Sequence, residues 1–120
     1  MQKKTLILGA STNPERYAYK AAKMLLRNNH PIVLVGNKEG EIDGNTILLT
    51  FPKMEEIHTI TLYLGVARQK EYYQDILESG VQRIIFNPGT HNDELIKMAV
   101  DKGIECESAC TLVMLTTDQY

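Results

Sequence analysis

The chain has 120 residues, 43% of them hydrophobic, and a formal net charge of −2. That length suits a single domain, 1–120, and is too short for a dinucleotide domain joined to a separate substrate domain. No apolar run approaches the roughly 20 residues of a membrane span, no basic block supplies a nucleic-acid surface, and Met1-Gln-Lys-Lys4 leads into a strand instead of a signal-peptide core. A cytoplasmic protein with neither membrane nor nucleic acid as partner is therefore expected. A chain of this size buries roughly 65% of its unfolded surface on folding, so its core needs no disulfide.

The first element is the apolar run Leu6-Ile7-Leu8, which reads as a parallel strand covered on both faces. Gly9-Ala10-Ser11 then gives a turn of small residues before a helix that starts between Pro14 and Ala18. In that order, backbone amides and the positive end of a helix dipole meet where phosphate oxygens are stabilised. A dinucleotide fingerprint would place three glycines where this chain has Gly9, Ser11 and Pro14, so the turn alone does not name the ligand.

Ala18, Ala21, Ala22 and Leu25 make the sheet-facing stripe of the first helix, which Asn28-Asn29 and Pro31 end. Ile32 to Val35 is the second strand, followed by a polar segment with a tight turn at Asp43-Gly44 and a short strand at Thr46 to Leu49. Thr59 to Leu64 reads as a strand inside the sheet. A helix from about Arg68 to Ser79 turns Tyr73, Ile76 and Leu77 inward and is capped by Gly80, and Arg83 to Phe86 is the next strand. Beyond the loop Asn87 to Thr90, Thr90 or Asn92 caps a helix with Leu95, Ile96, Ala99 and Val100 on its inner face, ended by Gly103. Ile104 to Glu107 is the last strand, and Thr111 to Leu115 suits a strand or a short helix equally.

Strands alternating with helices imply an α/β domain, doubly wound around a mainly parallel sheet of about five strands, with helices on both faces. Ligands bind such sheets beyond the carboxyl ends of the strands. The loops 9–19, 36–40, 65–70 and 87–91 are expected to meet there. Where a NAD site carries an acidic residue after the second strand, this chain has Val35-Gly36-Asn37-Lys38: a neutral amide for ribose or base and a cation for a ribose phosphate. Coenzyme A and NADP both meet that description. Arg16 and Lys20 lie one helical turn apart, and Arg68 and Lys70 follow a strand end, all four being candidate phosphate contacts against the ordinary role of solvated helix charges.

Gly9-Ala-Ser-x-Asn13-Pro-x-Arg16 with Tyr19, Val35-Gly-Asn37, Glu41-Ile-Asp-Gly44 and Cys110 together resemble the CoA-binding domain family, single-domain relatives of the N-terminal domain of the succinyl-CoA synthetase alpha subunit. The resemblance spans nearly the whole chain. It implies a Rossmann-like fold with coenzyme A lying across the loops after the first, second and fourth strands. Gly9, Ala10, Ser11, Thr12, Asn13 and Arg16 then fall at the phosphate turn, Tyr19 beside it, Asn37 and Lys38 at the adenosine end, and Arg68 at a further phosphate contact. The chain departs from the family in having Arg16-Tyr-Ala-Tyr19 for Arg-Pro-Ser-Tyr, and Gly36-Asn-Lys38 for Val-Asn-Pro. It also lacks the synthetase's phosphohistidine and nucleotide domains.

The expected function is that of a small cytoplasmic CoA-binding protein without catalysis of its own. The alternatives are an NADP-binding module or oxidoreductase fragment, and a scaffold or regulatory subunit beside a partner enzyme. A protein partner or homo-oligomer stays open. His91 is the one histidine expected at the ligand rim, with no partner set by spacing, whereas His30 and His58 are expected in loops or at the surface. Cys106 and Cys110 do not have redox or zinc spacing and are expected as buried thiols, Cys110 keeping a route to the coenzyme's thiol. No Ser-His-Asp order, carboxylate pair or metal cluster is expected from the pattern.

Overall fold

The computed structural model describes residues 2–53 and 56–120. Its centre is a seven-stranded sheet in the order β3-β4-β2-β1-β5-β6-β7, built from β1 (Thr5–Leu8), β2 (Ile32–Val35), β3 (Glu41–Ile42), β4 (Asn45–Leu48), β5 (Thr59–Leu62), β6 (Arg83–Phe86) and β7 (Glu105–Ser108). All pairs are parallel except β3 with β4. The chain winds outward from β1 to β2 and β4, then returns to β5 on the other side of β1, so the strand order reverses at β1.

Helices cover both faces, as the alternating pattern requires. Ile7, Ile32, Leu34 and Ile47 pack with Ala18, Ala22 and Leu25 of α1 (Tyr17–Arg27) and Leu115 of α5 (Thr111–Thr116). Leu6, Leu8, Ile60, Leu62, Ile84 and Phe86 pack on the other face with Ile76 of α3 (Tyr73–Glu78) and Leu95 and Ala99 of α4 (Asp93–Asp101). Alanines let α1 approach the sheet closely, and Asn29 ends it in the left-handed region at φ 65°.

The structure corrects the expected layout in several places. The sheet has seven strands and not about five. Asp43 (φ 48°) and Gly44 (φ 84°) form a two-residue hairpin turn that adds β3, a strand too short to show periodicity. The single helix expected over 68–79 is instead α2 (Val66–Gln69), a 3₁₀ turn at Lys70–Tyr72, and α3. Gln69 is fully buried beneath the neighbouring loops while Ile76 is buried in the core, and the tighter turn sets these two directions. Val100 is 56% exposed, because it lies about 100° around the helix from Ala99, which does meet the sheet. Thr111 to Leu115 is helical, with Thr111, Met114 and Leu115 buried at helical spacing.

Polar groups lie inside the lower half of the sheet. Thr59 and Thr61 are fully buried, in strand register with Arg83 and Ile85. The Arg83 Nε donates to Thr59 Oγ1 at 3.0 Å, its guanidinium stacks 4.5 Å from the Tyr120 ring, and Nη1 lies 3.5 Å from Glu107. His30, expected in a loop or at the surface, lies in the loop between α1 and β2 but is buried against Tyr120, with Nδ1 accepting the Lys3 backbone N–H at 3.0 Å. His58 is half-buried. The two cysteines are free and half-buried, more open than buried thiols.

Candidate functional site

A cleft of about 410 Å³ opens beyond the carboxyl ends of β1, β2 and β5, at the reversal of strand order. It is built from the turn after β1 upward. Gly9 sits at φ +101°, and its N–H and that of Ala10 both donate to the Val35 carbonyl at 2.8 and 2.9 Å. A side chain at Gly9 would lie 2.8 Å from the Tyr63 carbonyl oxygen, so glycine is required there by both conformation and space. With those two amides used inside the fold, the next donors in the turn are the N–H groups of Ser11 and Thr12, which make no hydrogen bond among the described residues.

Two side-chain bonds shape the rest of the turn. Ser11 Oγ accepts the Asn13 N–H at 3.1 Å, and Asn13 Oδ1 accepts the Glu15 N–H at 3.0 Å. The chain then enters α1, whose first turn holds no acidic residue and has no side-chain cap, while Tyr17 and Ala18 line the cleft. The opposite choice is made at α4, where Asn92 caps the Leu95 N–H at 3.1 Å and Asp93 and Glu94 occupy the first turn. The open donors and dipole end of α1 are thus left for an external anion.

The loop after β2 closes the other wall. Added side-chain carbon at Gly36 would lie 2.6 Å from the Ala10 carbonyl oxygen, and at Gly40 2.5 Å from Thr12 Cγ2, so this loop rests directly on the turn after β1. It brings Asn37, Lys38 and Glu39 to the cleft, opposite Arg68 from α2, which follows β5. Arg16, Lys38 and Arg68 make three cations against the one carboxylate of Glu39, in a chain whose overall charge is negative. Tyr63 forms part of the floor, and burial pushes its hydroxyl pKa up to about 12, which keeps it neutral.

Of the residues expected at the site, Gly9, Ala10, Ser11, Thr12, Arg16, Asn37, Lys38 and Arg68 line this cleft. Asn13 and Tyr19 do not: Asn13 holds the turn from outside, and Tyr19 packs against the α1 face of the core. Lys20 reaches over the Tyr17 ring at 5.3 Å and Lys70 lies outside the lining. Three of the four expected loops line the cleft, and 87–91 lies outside its lining, beside the segment 65–70. There Asn87 is buried and bonded to Thr61, Leu62 and the Thr111 N–H, and Gln69 Nε2 ties the Leu64 and Thr90 carbonyls together at 2.9 and 2.8 Å.

Tyr17, Ala18, Glu39, Ile47, Tyr63 and Leu64 also line the cleft and were not among the expected contacts. Glu39 follows the second strand, so position alone marked it; Ile47 and Tyr63 read as core. His91 has partners after all: Nδ1 lies 2.8 Å from Ser108 Oγ and Nε2 lies 2.8 Å from Asp93 Oδ1. No group of metal-ligating side chains occurs among the described residues.

A family model described as a CoA binding domain matches residues 3–116. No curated protein matches. Among solved structures, one described as an uncharacterized protein is 44% identical, with 100% of this chain and 99% of that chain covered and a TM-score of 0.97. A hypothetical protein from Pyrococcus horikoshii OT3 is 25% identical, over 96% of this chain and 82% of that one, with a TM-score of 0.85. A Thermus thermophilus protein at 16% identity and a TM-score of 0.86, covering 98% of this chain and 90% of that one, shares the fold.

Proposed function

The chain belongs to the CoA-binding domain family, and from that premise we propose that it is a small protein that binds coenzyme A or an acyl-CoA in the cleft beyond β1, β2 and β5. The observation that carries this reading is the undefended N-terminus of α1, together with the Ser11 and Thr12 amides and three cations spread along one cleft. The pyrophosphate lies against Ser11, Thr12 and the first turn of α1, with Arg16 and Arg68 on either side. Asn37 and Glu39 take the ribose and base hydrogen bonds, and Lys38 takes the 3′-phosphate.

The lining of turn amides, cations and polar side chains suits a site that holds the nucleotide end of the coenzyme. No helix among the described residues is long and apolar enough to cross a membrane. Free, half-buried Cys106 and Cys110 support a cytoplasmic setting, where thiols stay reduced.

Calorimetry with CoA, dephospho-CoA, NADP and NAD tests the reading. CoA is expected to bind more tightly than dephospho-CoA, and both pyridine nucleotides more weakly than CoA. Clear NADP binding without CoA binding would overturn it in favour of an NADP-binding module.

A further inference from the structure

We propose that Ser108, His91 and Asp93 form a thioester-hydrolysing group that acts on the acyl end of the bound coenzyme. This deepens the CoA reading and rests on it. The three residues form a continuous relay, with Ser108 Oγ 2.8 Å from His91 Nδ1 and His91 Nε2 2.8 Å from Asp93 Oδ1. A carboxylate only accepts hydrogen bonds, so Nε2 carries the proton it shares with Asp93. In the neutral ring Nδ1 is then an acceptor, and the Ser108 hydroxyl is the donor. That is the direction in which a base takes a proton from a nucleophile.

The loop that carries His91 is anchored by the fold, while the three side chains meet at the surface, with that of Asp93 93% exposed. Thr90 and Asn92, on either side of His91, are both buried, and Asn87 anchors the loop from within the core. His91 is thereby turned outward, with a side chain 58% exposed and open to a ligand. Ser108 is the last residue of β7, and Asp93 opens α4, where the helix N-terminus favours a carboxylate.

Its place on the sheet matches the length of the coenzyme. The relay stands on the same carboxyl rim as the cleft, after β6 and β7, and the sheet runs β1-β5-β6-β7. At about 4.8 Å per strand, those ends lie roughly 10 and 14 Å from the phosphate turn of β1. The pantetheine arm consists of three amide-linked segments; at about 3.5 Å per peptide-like unit, and with its extra methylenes, it spans on the order of 12–15 Å. With the pyrophosphate at Ser11, an arm running away from β2 delivers its sulfur beside His91 and Ser108.

The chemistry balances with water as the only co-reactant. Ser108 Oγ attacks the thioester carbonyl carbon as its proton passes to His91 Nδ1, and the C–S bond breaks, the thiolate leaving with that proton as free CoA. Water then attacks the acyl-serine ester, giving its proton to His91, and the Ser108 oxygen leaves and regains a proton from the imidazolium. One acyl-CoA and one water become one carboxylic acid and one CoA. Asp93 is a positioning residue in this scheme, holding the ring and its tautomer.

The test follows thiol release from acetyl-CoA and octanoyl-CoA with a thiol-reactive dye, alongside calorimetry with CoA. Expected are release well above the buffer rate, a fall to within about twofold of buffer in Ser108→Ala and in His91→Asn with CoA affinity unchanged, and retention of the rate in Cys110→Ala. Asp93→Asn should slow release about tenfold, and Asp93→Glu should restore it. Binding of CoA without release above buffer overturns this proposal and leaves the binding reading standing, whereas absence of CoA binding overturns both. Loss of release in Cys110→Ala with full release in Ser108→Ala overturns the assignment of the nucleophile.

Discussion

Replacing Gly36 with Ala tests whether the two phosphate-side loops are locked together. Gly36 has no left-handed backbone, so alanine brings no conformational strain there; the added carbon instead meets the Ala10 carbonyl oxygen at 2.6 Å and Ile47 Cγ2 at 3.1 Å. Neither side can retreat freely. Ala10 is bonded to the Val35 carbonyl at 2.9 Å, and Gly36 to the Leu48 carbonyl at 3.0 Å. Forcing them apart costs about 1–3 kcal/mol of overpacking strain, and losing the Ala10 bond adds about 1 kcal/mol. At roughly 4 °C per kcal/mol for a domain of this size, the melting temperature should fall by about 8–16 °C. The contrast is Gly44→Ala, at φ +84° with nothing within 4 Å of the added carbon. It bears only the left-handed penalty of about 1 kcal/mol, or roughly 4 °C. Because the displaced Ala10 carries Ser11 with it, Gly36→Ala should also weaken CoA at least tenfold, about 1.4 kcal/mol, while Gly44→Ala leaves CoA affinity unchanged. Calorimetric melts and titrations of both variants decide it. A Gly36→Ala protein that melts within about 3 °C of wild type, or no lower than Gly44→Ala, refutes the argument from close approach.

Lys38→Ala should weaken CoA by about 1–2 kcal/mol and leave dephospho-CoA nearly unchanged, as expected for one charged contact to the 3′-phosphate; equal losses in the two titrations would show that Lys38 has another role. Ser11→Asp should leave the free protein's melting temperature close to wild type, since an aspartate oxygen can still accept the Asn13 N–H, yet abolish most of the CoA-induced rise by repelling phosphate. A full CoA-induced rise in that variant would place the pyrophosphate elsewhere. Acid should destabilise the fold through His30 and His58, both of which have pKa values lowered by burial and then by nearby Lys3 and Arg83. Below the ordinary histidine pKa of about 6.5 the unfolded chain takes up protons that the native chain refuses, so stability is full above that pH and falls as the pH drops through it. Urea midpoints at pH 7.5 and 5.5 should show this loss, and a His30→Gln/His58→Gln variant that loses just as much would assign it to other groups.

Much of the fold was written locally. The continuous strand Leu6-Ile7-Leu8, the alanine stripe of α1 and the glycine turn between them are short-range signals, and they located the turn that lines the cleft because strand, turn and helix N-terminus are contiguous in sequence. The Asp43-Gly44 turn was equally legible, because its residue types tolerate the backbone it needs. Length and alternating elements determined the α/β class, and Asn37 and Lys38 after the second strand were legible as residues of the cleft.

Other features depended on residues far apart in the chain. Thr111 to Leu115 has no decisive propensity, and it becomes a helix because Thr111 is held by Thr61 and Asn87 while Leu115 packs with the α1 face. Gln69 and Arg83 are polar residues that pattern alone assigns to the surface; loop carbonyls hold Gln69 inside, and Thr59, Glu107 and the Tyr120 ring hold Arg83, whose Nη2 is buried without a hydrogen bond. Tyr63 was expected within a strand over 59–64; β5 ends at Leu62, and only the strand order, with β5 beside β1, placed Tyr63 under the cleft. The sequence by itself determined where a turn of small residues meets a helix N-terminus, since these are properties of neighbouring residues. Only the tertiary structure decided which side chains surround that turn and that Ser108 meets His91, because the pairing of β6 with β7 brings together residues 17 positions apart.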